Sequence, residues 1–337
     1  MTSLITPTRP DVDAEFARIV DELTRRGFLA GGLGGAALLG LAACGSSGSS
    51  ADHSSAAPTT RTVQGAYGRV EVPTNPKRAV ALSKAAIGTL LDVGLTPVGV
   101  DEGEADVALP QYVATIKPIP TVGTYGEFSV EKIAALKPDL LISYDTYIDA
   151  KLYDQVKTLV PTFALKTNQG NIPWQDATAG FANAVNRNSQ LATVKEKFDN
   201  RLAQIKATYH DQLAGNRWEV VQRADTGTFY RYLPSADPLQ ILARLGATLG
   251  NADAKGPNYY GTPISFENIP SQLGTASVIL GVQLGIESLT ANSLWKKLPA
   301  VVAGHTYLSN DLFLSSYSGG IALLDFIADT CKKLAAT

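Results

Sequence analysis

The sequence predicts an α/β fold of two lobes, each built on a mainly parallel sheet, joined by one long rigid α-helix. Short β-branched runs alternate with helical patterns through residues 62–170, and the same alternation returns in residues 214–337. Between them, residues 171–213 carry apolar side chains at three- or four-residue steps, which is helical spacing. These observations together predict Rossmann-like lobes on either side of a helical connector.

Residues 1–43 have the composition of an export signal. Arg25 and Arg26 precede an apolar, Gly-rich run over residues 28–43, and Cys44 follows small residues. A helix that spans a membrane needs about 20 mostly apolar residues, so this run is too short and too rich in glycine for a permanent anchor. We therefore predict that residues 1–43 are cleaved after export.

Two features of the signal predict how the chain is exported and where it stays. The arginine pair followed by Gly27 and Phe28 resembles a twin-arginine signal, which exports folded proteins; the general route is the alternative. The Leu-Ala-Ala-Cys that ends at Cys44 resembles a bacterial lipobox, in which the cysteine is lipidated. Residues 44–61 are rich in Ser, Ala and Thr and are predicted to be a flexible tether. The expected location is the extracytoplasmic face of the cell membrane.

Charge and cysteine content narrow the function classes. The chain has 29 basic and 31 acidic residues, so it lacks the basic excess of a nucleic-acid-binding protein. If Cys44 carries lipid, Cys331 has no disulfide partner. Cys331 lies in a helical pattern, and we predict a buried, inert thiol.

The first lobe begins with a short strand and alternates from there. A helix is expected to begin after Ser129, a favourable N-cap, and Gly94 and Pro138 each end a helical pattern. The continuous apolar run at 139–143 is typical of a buried parallel strand. Strands are predicted at 78–82, 97–100, 139–143 and 161–165, and helices at 85–93, 130–136 and 153–159.

The connector and the second lobe follow the same logic. Residues 174–213 contain a single glycine, Gly180, and a helix within this segment could run to about 50 Å. Residues 186–189 are the place where it could be interrupted. A helical connector predicts a cleft that changes little on binding. In the second lobe, strands are predicted at 218–222 and 277–282, and helices at 238–245 and 317–334.

Several phrases resemble substrate-binding proteins of bacterial ABC importers, in the class that carries ferric siderophores, haem and cobalamin. They are residues 74–82, 94–100, 129–142, 264–267 and 294–301, and their order and spacing extend the resemblance over about residues 62–334. The resemblance implies two lobes that hold a ligand in a shallow cleft. It also implies that the receptor, a monomer and not an enzyme, docks on an ABC permease with its ATPase.

The resemblance implies that one acidic residue on each lobe pairs with arginines of the permease. Glu131, in a Ser-x-Glu phrase, matches the first, and Glu267, in Ser265-Phe266-Glu267, matches the second. Each glutamate follows a serine that can cap a helix, so half of a capping box is the alternative interpretation.

Candidate ligand-binding residues are aromatic or basic side chains near the strand ends that should face the cleft. Aromatic rings give apolar walls with a polar edge, and arginine binds the negative oxygens around ferric iron. Packing inside the lobes is the alternative for each tyrosine, and Asp225 could satisfy Arg223 without a ligand. The candidates are Tyr125, Tyr144, Tyr147, Trp174, Arg223, Tyr230, Arg231, Tyr232, Tyr259 and Tyr317.

We therefore expect a receptor for a ferric siderophore, with iron bound only through the chelator and no cofactor of its own. The chain has three histidines and no His-rich loop, which argues against direct metal binding. Haem, which tyrosine can ligate, and cobalamin stay open. A hydrolase built on His305 with Ser315 or Ser316 is the remote alternative, because no Gly-x-Ser-x-Gly elbow is found.

Overall fold

The computed structural model describes residues 59–103, 108–167, 172–256 and 258–336. The export signal, Cys44 and the tether up to residue 58 lie outside the described residues. Strand β1 (Thr60–Gly65) pairs antiparallel with β2 (Gly68–Pro73), so Thr60 and Arg61 belong to a strand and not to the tether. The mainly polar composition of β1 hides the strand in the sequence, because Val63 is its one buried residue.

The first lobe contains an all-parallel sheet in the order β4-β3-β7-β8. All four residues of β3 are buried, which confirms the prediction of core strands covered on both faces. The strands are β3 (Ala79–Leu82), β4 (Gly99–Val100), β7 (Leu140–Tyr144) and β8 (Thr162–Leu165), a hairpin forms β5 (Gly123–Thr124) and β6 (Glu127–Phe128), and the helices are α1 (Lys84–Asp92), α2 (Pro110–Ile116), α3 (Val130–Ala135) and α4 (Ala150–Val156).

The connector is helical in three pieces, α5 (Trp174–Ala184), α6 (Asn188–Thr208) and α7 (His210–Gly215). The interruption falls at Asn186, whose φ of 56° is left-handed and ends α5. The longest piece, α6, has 21 residues and therefore spans about 32 Å. The two-lobed α/β fold is confirmed, and the connector is a helical unit interrupted between α5 and α6 and again at Tyr209.

The second lobe has a mixed sheet in the order β12-β10-β9-β13-β14, with β11 paired to β9. Strands β9, β11, β13 and β14 are parallel to one another, and β10 is antiparallel to both β9 and β12. The strands are β9 (Arg217–Arg223), β10 (Thr228–Arg231), β11 (Thr248–Leu249), β12 (Ile264–Ser265), β13 (Val278–Gly281) and β14 (Thr306–Leu308), and the helices are α8 (Asp237–Leu245), α9 (Ile269–Leu273), α10 (Glu287–Ala291), α11 (Pro299–Val302) and α12 (Tyr317–Leu334).

Helix α12 ties the two lobes together. Asp92, at the end of α1, accepts hydrogen bonds from the Ser318 N–H at 3.0 Å and from the Tyr112 hydroxyl at 2.9 Å. One apolar core runs from first-lobe residues such as Leu90 to residues of α12 such as Leu323. Because the lobes share this core, the width of the cleft between them is set by packed helices.

Two smaller observations complete the fold. Cys331 is buried and free, as predicted, and burial raises the pKa of its thiol to about 12, which keeps it protonated and inert. Within the described part of the chain, none of the helices combines the length and the apolar character needed to cross a bilayer.

Candidate functional site

A cavity of about 460 Å³ lies between the lobes, at the carboxyl ends of β3 and β7. Its volume is within the range of sites that hold small molecules. The first lobe contributes Ser83, Lys84, Ala85, Tyr144 and Tyr147, and the second contributes Tyr232, Ala236, Asp237, Pro238, Tyr259, Tyr260, Leu284, Leu312, Phe313, Leu314 and Ser315.

On the first-lobe side of the cavity, three tyrosines form a row, and two of them, Tyr144 and Tyr147, line the wall. Tyr144 ends β7, and its ring centroid lies 6.0 Å from that of Tyr147. Tyr147 contacts Tyr125 edge to face at 4.7 Å, and Tyr125 is 62% exposed at the turn between β5 and β6. The Tyr144 ring also packs edge to face on Phe181 of α5, with ring centroids 5.1 Å apart. The row therefore runs from the cavity wall to its rim, and Tyr125 contacts the wall without lining the cavity.

The second-lobe wall is a group of tyrosines around Tyr260. Its ring lies 5.5 Å from Tyr230 and 5.1 Å from Tyr232, so Tyr230 supports the wall from outside the cavity. Tyr232 donates its hydroxyl hydrogen bond to Gln222 at 2.6 Å, and Tyr259 donates to the backbone carbonyl of Ile172 at 3.2 Å. Tyr232 and Tyr259 were both expected at the site, and Tyr260 follows Tyr259 in the same Gly-containing loop.

Two charged side chains of the cavity wall were not among the sequence candidates. Lys84 begins α1, and its ammonium lies 5.1 Å from the centroid of the Phe313 ring. Asp237 begins α8, and its Oδ1 is buried without a hydrogen-bond partner in the described part of the chain. The only sequence signal for Lys84 is its place directly after a buried strand, and Asp237-Pro238 has the composition of an ordinary helix start.

Arg223 lies near the cavity but is not one of the residues that line it. It ends β9, is exposed, and passes over Gly285, where an added Cβ would be 3.1 Å from its Nε. Gly285 follows Leu284, which lines the cavity. Among the described residues no hydrogen bond or ion pair engages the Arg223 guanidinium, so the pairing with Asp225 is not formed. The side chain is therefore available to a ligand.

Arg231 does not face the cavity, contrary to the sequence expectation. Its Nε donates to Glu219 Oε2 at 2.8 Å, its Nη2 forms an ion pair with Glu219 Oε1, and its Nη1 donates to Gln272 at 3.3 Å. Consecutive residues of a strand point to opposite faces, so Arg231 must lie on the side of the sheet away from Tyr230 and Tyr232. The arginine is a structural residue.

Trp174 and Tyr317 are also placed away from the cavity. They are 3% and 4% exposed and pack on each other with ring centroids 4.7 Å apart. Phe198 of α6 completes the cluster at 5.5 Å from Trp174 and 5.6 Å from Tyr317. Both residues begin helices, α5 and α12, and the cluster fixes these helices against α6.

Glu131 and Glu267 are exposed, one on each lobe. Glu131 is the second residue of α3 and accepts a hydrogen bond from the Ser129 hydroxyl at 2.7 Å. The backbone N–H of Ser129 donates to Val122 at 2.8 Å, so Glu131 does not complete a reciprocal capping box. Glu267 is the second residue of a 3-10 turn, Phe266–Asn268, capped by Ser265. Both carboxylates remain accessible to a partner.

The geometry offers little to a metal or to a hydrolytic mechanism. Over the described ranges, no three His, Cys, Asp or Glu side chains converge as a metal site. Ser316 caps α12 by accepting a hydrogen bond from the Gly319 N–H at 3.3 Å. No hydrogen bond joins His305 to either serine among the described contacts. The proposed triad is therefore not assembled.

The burial of the Asp237 carboxyl group leads us to expect an unusual dependence of the protein's stability on pH. Burial raises the pKa of its carboxyl group to about 7 in the folded protein, above the ordinary value of 3.8. Between these two values the folded state binds more protons than the unfolded state, so this group lowers stability as pH rises from about 4 to 7. Asp237→Asn should remove that component. We expect the variant to melt at a higher temperature than the wild type at pH 8, with a smaller difference at pH 5, and equal pH dependence of the two proteins would contradict this.

Comparisons with known proteins show which family the chain resembles. The family model described as "Periplasmic binding protein" matches residues 80–311. The probable siderophore-binding lipoprotein YfiY of Bacillus subtilis is 31% identical over 310 residues, covering 87% of this chain and 93% of its own. The putative ABC transporter substrate-binding lipoprotein YhfQ of the same species is 32% identical over 283 residues, covering 77% and 84%. The siderophore periplasmic binding protein from the fuscachelin gene cluster of Thermobifida fusca superposes with a TM-score of 0.67 at 25% identity, covering 78% and 98%.

Proposed function

Since the chain belongs to the periplasmic binding protein family, a family of substrate-binding transport proteins, we propose that it is a lipid-anchored extracytoplasmic receptor for a ferric siderophore. In this proposal it delivers the chelate to an ABC permease and its ATPase for iron uptake. The observation that carries the proposal is the interlobe cavity walled by tyrosines, with Lys84 in its wall. The exposed Arg223 lies against Gly285, next to the lining residue Leu284, and has no partner among the described residues. Relatives named as siderophore-binding proteins support the choice of ligand.

The wall chemistry suits a chelate that already satisfies its iron. Tyrosine rings supply apolar surface for the organic frame of the chelator, and their hydroxyl edges supply hydrogen bonds. Arg223 and Lys84 supply positive charge for carboxylate, hydroxamate or catecholate oxygens that remain partly negative around the metal. The protein then binds the ligand shell and not the iron, which is the cargo.

Haem is the second candidate within the same class, because tyrosine can ligate ferric haem. Burial raises the pKa of Tyr144, Tyr232 and Tyr259, which makes a phenolate in this cavity costly to form. The described site therefore favours a ferric chelate over haem. Cobalamin, the third candidate, is distinguished from both by the binding assay described next.

Arg223→Ala should weaken binding of the ferric chelate at least tenfold, which corresponds to about 1.4 kcal/mol. Affinity is measured by quenching of intrinsic fluorescence with ferric hydroxamates, catecholates and citrate, and with haem and cobalamin. Arg69→Ala is the matched control, because Arg69 is an exposed arginine on β2 outside the cleft. Unchanged affinity in the Arg223 variant would remove this arginine from the site, and no binding of any ferric chelate by the wild type would overturn the proposed function.

Anchoring and delivery complete the proposal. A lipid on Cys44 and the tether that follows would hold the receptor beside its permease, and the receptor would act as a monomer exported by the twin-arginine route. Glu131 and Glu267 would each contact one half of the permease. The lipoprotein relatives support the anchored location.

A further inference from the structure

The cavity contains a carboxylate that capture of an anionic chelate does not use. Asp237 lines the wall at the start of α8. Its Oδ1 is buried, and no group of the described chain donates a hydrogen bond to it. Buried carboxylates are normally paired with a donor or a cation, because burial without a partner costs free energy. Asp237 thus combines a place in the wall of a ligand cavity with a carboxylate oxygen that has no donor, which indicates a complementary group on the ligand.

The groups around Asp237 do not supply that complement. The ionisable side chains that act on it or line the same cavity are Lys84, Tyr144 and Tyr147 of the first lobe and Tyr232, Tyr259 and Tyr260 of the second. None of them forms an ion pair or a hydrogen bond with Asp237 among the described contacts. Lys84 belongs to the opposite lobe and lies over Phe313. The charged residues that line the cavity are therefore a lysine from the first lobe and an aspartate from the second.

Building on the proposed function, we propose that the natural ligand is a bipolar ferric chelate that carries a protonated amine, and that Asp237 binds this amine. The iron-binding end of the chelate, with its oxygen donors, then lies towards Lys84. An ammonium group suits Asp237 better than a neutral donor does. Burial removes the water that would stabilise the negative carboxylate, and a positive charge on the ligand compensates for that loss. The tyrosines around it add faces that also favour a cation.

The test compares chelates that differ only in the charge of one group. Ferrioxamine B, a ferric trihydroxamate with a terminal amine, is titrated beside its N-acetyl derivative. Within the catecholate and hydroxycarboxylate classes, an amine-bearing chelate is likewise paired with its N-acetyl form. In whichever class the wild type binds, we expect at least tenfold tighter binding of the amine form at pH 8. Asp237→Asn should bind both forms within about twofold, and its retained binding of the N-acetyl form shows that the site is folded.

Asp225→Asn is the matched control. Asp225 belongs to the same lobe as Asp237 and is exposed, but it does not line the cavity. It should keep the tenfold preference. The preference of the wild type should also decrease below pH 7, where Asp237 takes up a proton, and this decrease should be absent in Asp237→Asn.

The outcomes separate the two proposals. If the wild type binds a ferric chelate but shows no preference for its amine form in any class, the role of Asp237 is overturned and the proposed function stands. If the preference persists in Asp237→Asn, another group binds the amine and the inference is also overturned. If no ferric chelate binds, the proposed function itself fails.

Discussion

Cells that carry the double variant Glu131→Ala, Glu267→Ala should take up no ferric siderophore above background, although the purified protein binds the chelate with unchanged affinity. Both carboxylates are exposed and lie outside the cavity, so truncating them leaves the ligand site intact. We expect uptake to be lost because, in the proposed function, the receptor binds its ligand with one surface and contacts the permease with another.

The physical basis is the placement of one carboxylate on each lobe, each at the start of a short helical turn. The family resemblance implies that the permease presents arginines to these positions. Exposed charge pairs of this kind steer and orient the encounter more than they add affinity. A variant that lacks one glutamate would keep one of the two contacts with the permease, so each single variant should retain partial uptake. The double variant would lose both contacts.

Uptake of iron-55 as the ferric chelate measures this result in a strain that lacks its own copy of the receptor. Glu196→Ala, Asp329→Ala is the matched control, because it removes two exposed carboxylates from α6 and α12 and changes net charge equally. Immunoblots of membrane fractions establish equal amounts of anchored protein. Normal uptake by the docking variant, or equal loss in the control variant, would contradict the docking role.

Most of the fold could be predicted because its strands are short, apolar and buried on both faces. Residues 139–143 were expected to form a core strand, and β7 covers Leu140–Tyr144. The terminal helix was predicted at 317–334 and is found there. The β1–β2 hairpin was missed because its residues are mainly polar and exposed, which resembles a tether in composition.

The site was predictable in kind but not residue by residue. Tyrosine has the same composition signal whether it lines a cavity, as Tyr144 does, or packs in a core, as Tyr317 does. Only tertiary packing separates the two. Asp237 was missed for a related reason: an Asp before Pro at a helix start has an ordinary structural explanation, and its unpaired state is visible only once the surrounding walls are known.

Arg231→Ala should lower the free energy of unfolding by about 3–5 kcal/mol, because it leaves the carboxylate of Glu219 buried without its partner. Glu219 is 1% exposed and Arg231 17% exposed in their side chains. The carboxylate is confined as well as buried, since an added Cβ on Gly250 would lie 1.7 Å from Glu219 Oε1. Relaxation towards solvent on that side is therefore blocked. Urea unfolding followed by circular dichroism measures the loss.

The same experiment distinguishes a structural arginine from a ligand-binding one. Arg223→Ala removes an exposed guanidinium without a partner among the described residues, so its unfolding free energy should stay within about 0.5 kcal/mol of the wild type while its chelate affinity decreases. The double variant Glu219→Leu, Arg231→Met should recover much of the stability lost in Arg231→Ala, because apolar side chains replace a desolvated ion pair at little net cost. If Arg231→Ala instead kept its stability and lost chelate binding, the guanidinium would have to reach the cleft, and its pairing with Glu219 would not be the reason for its position.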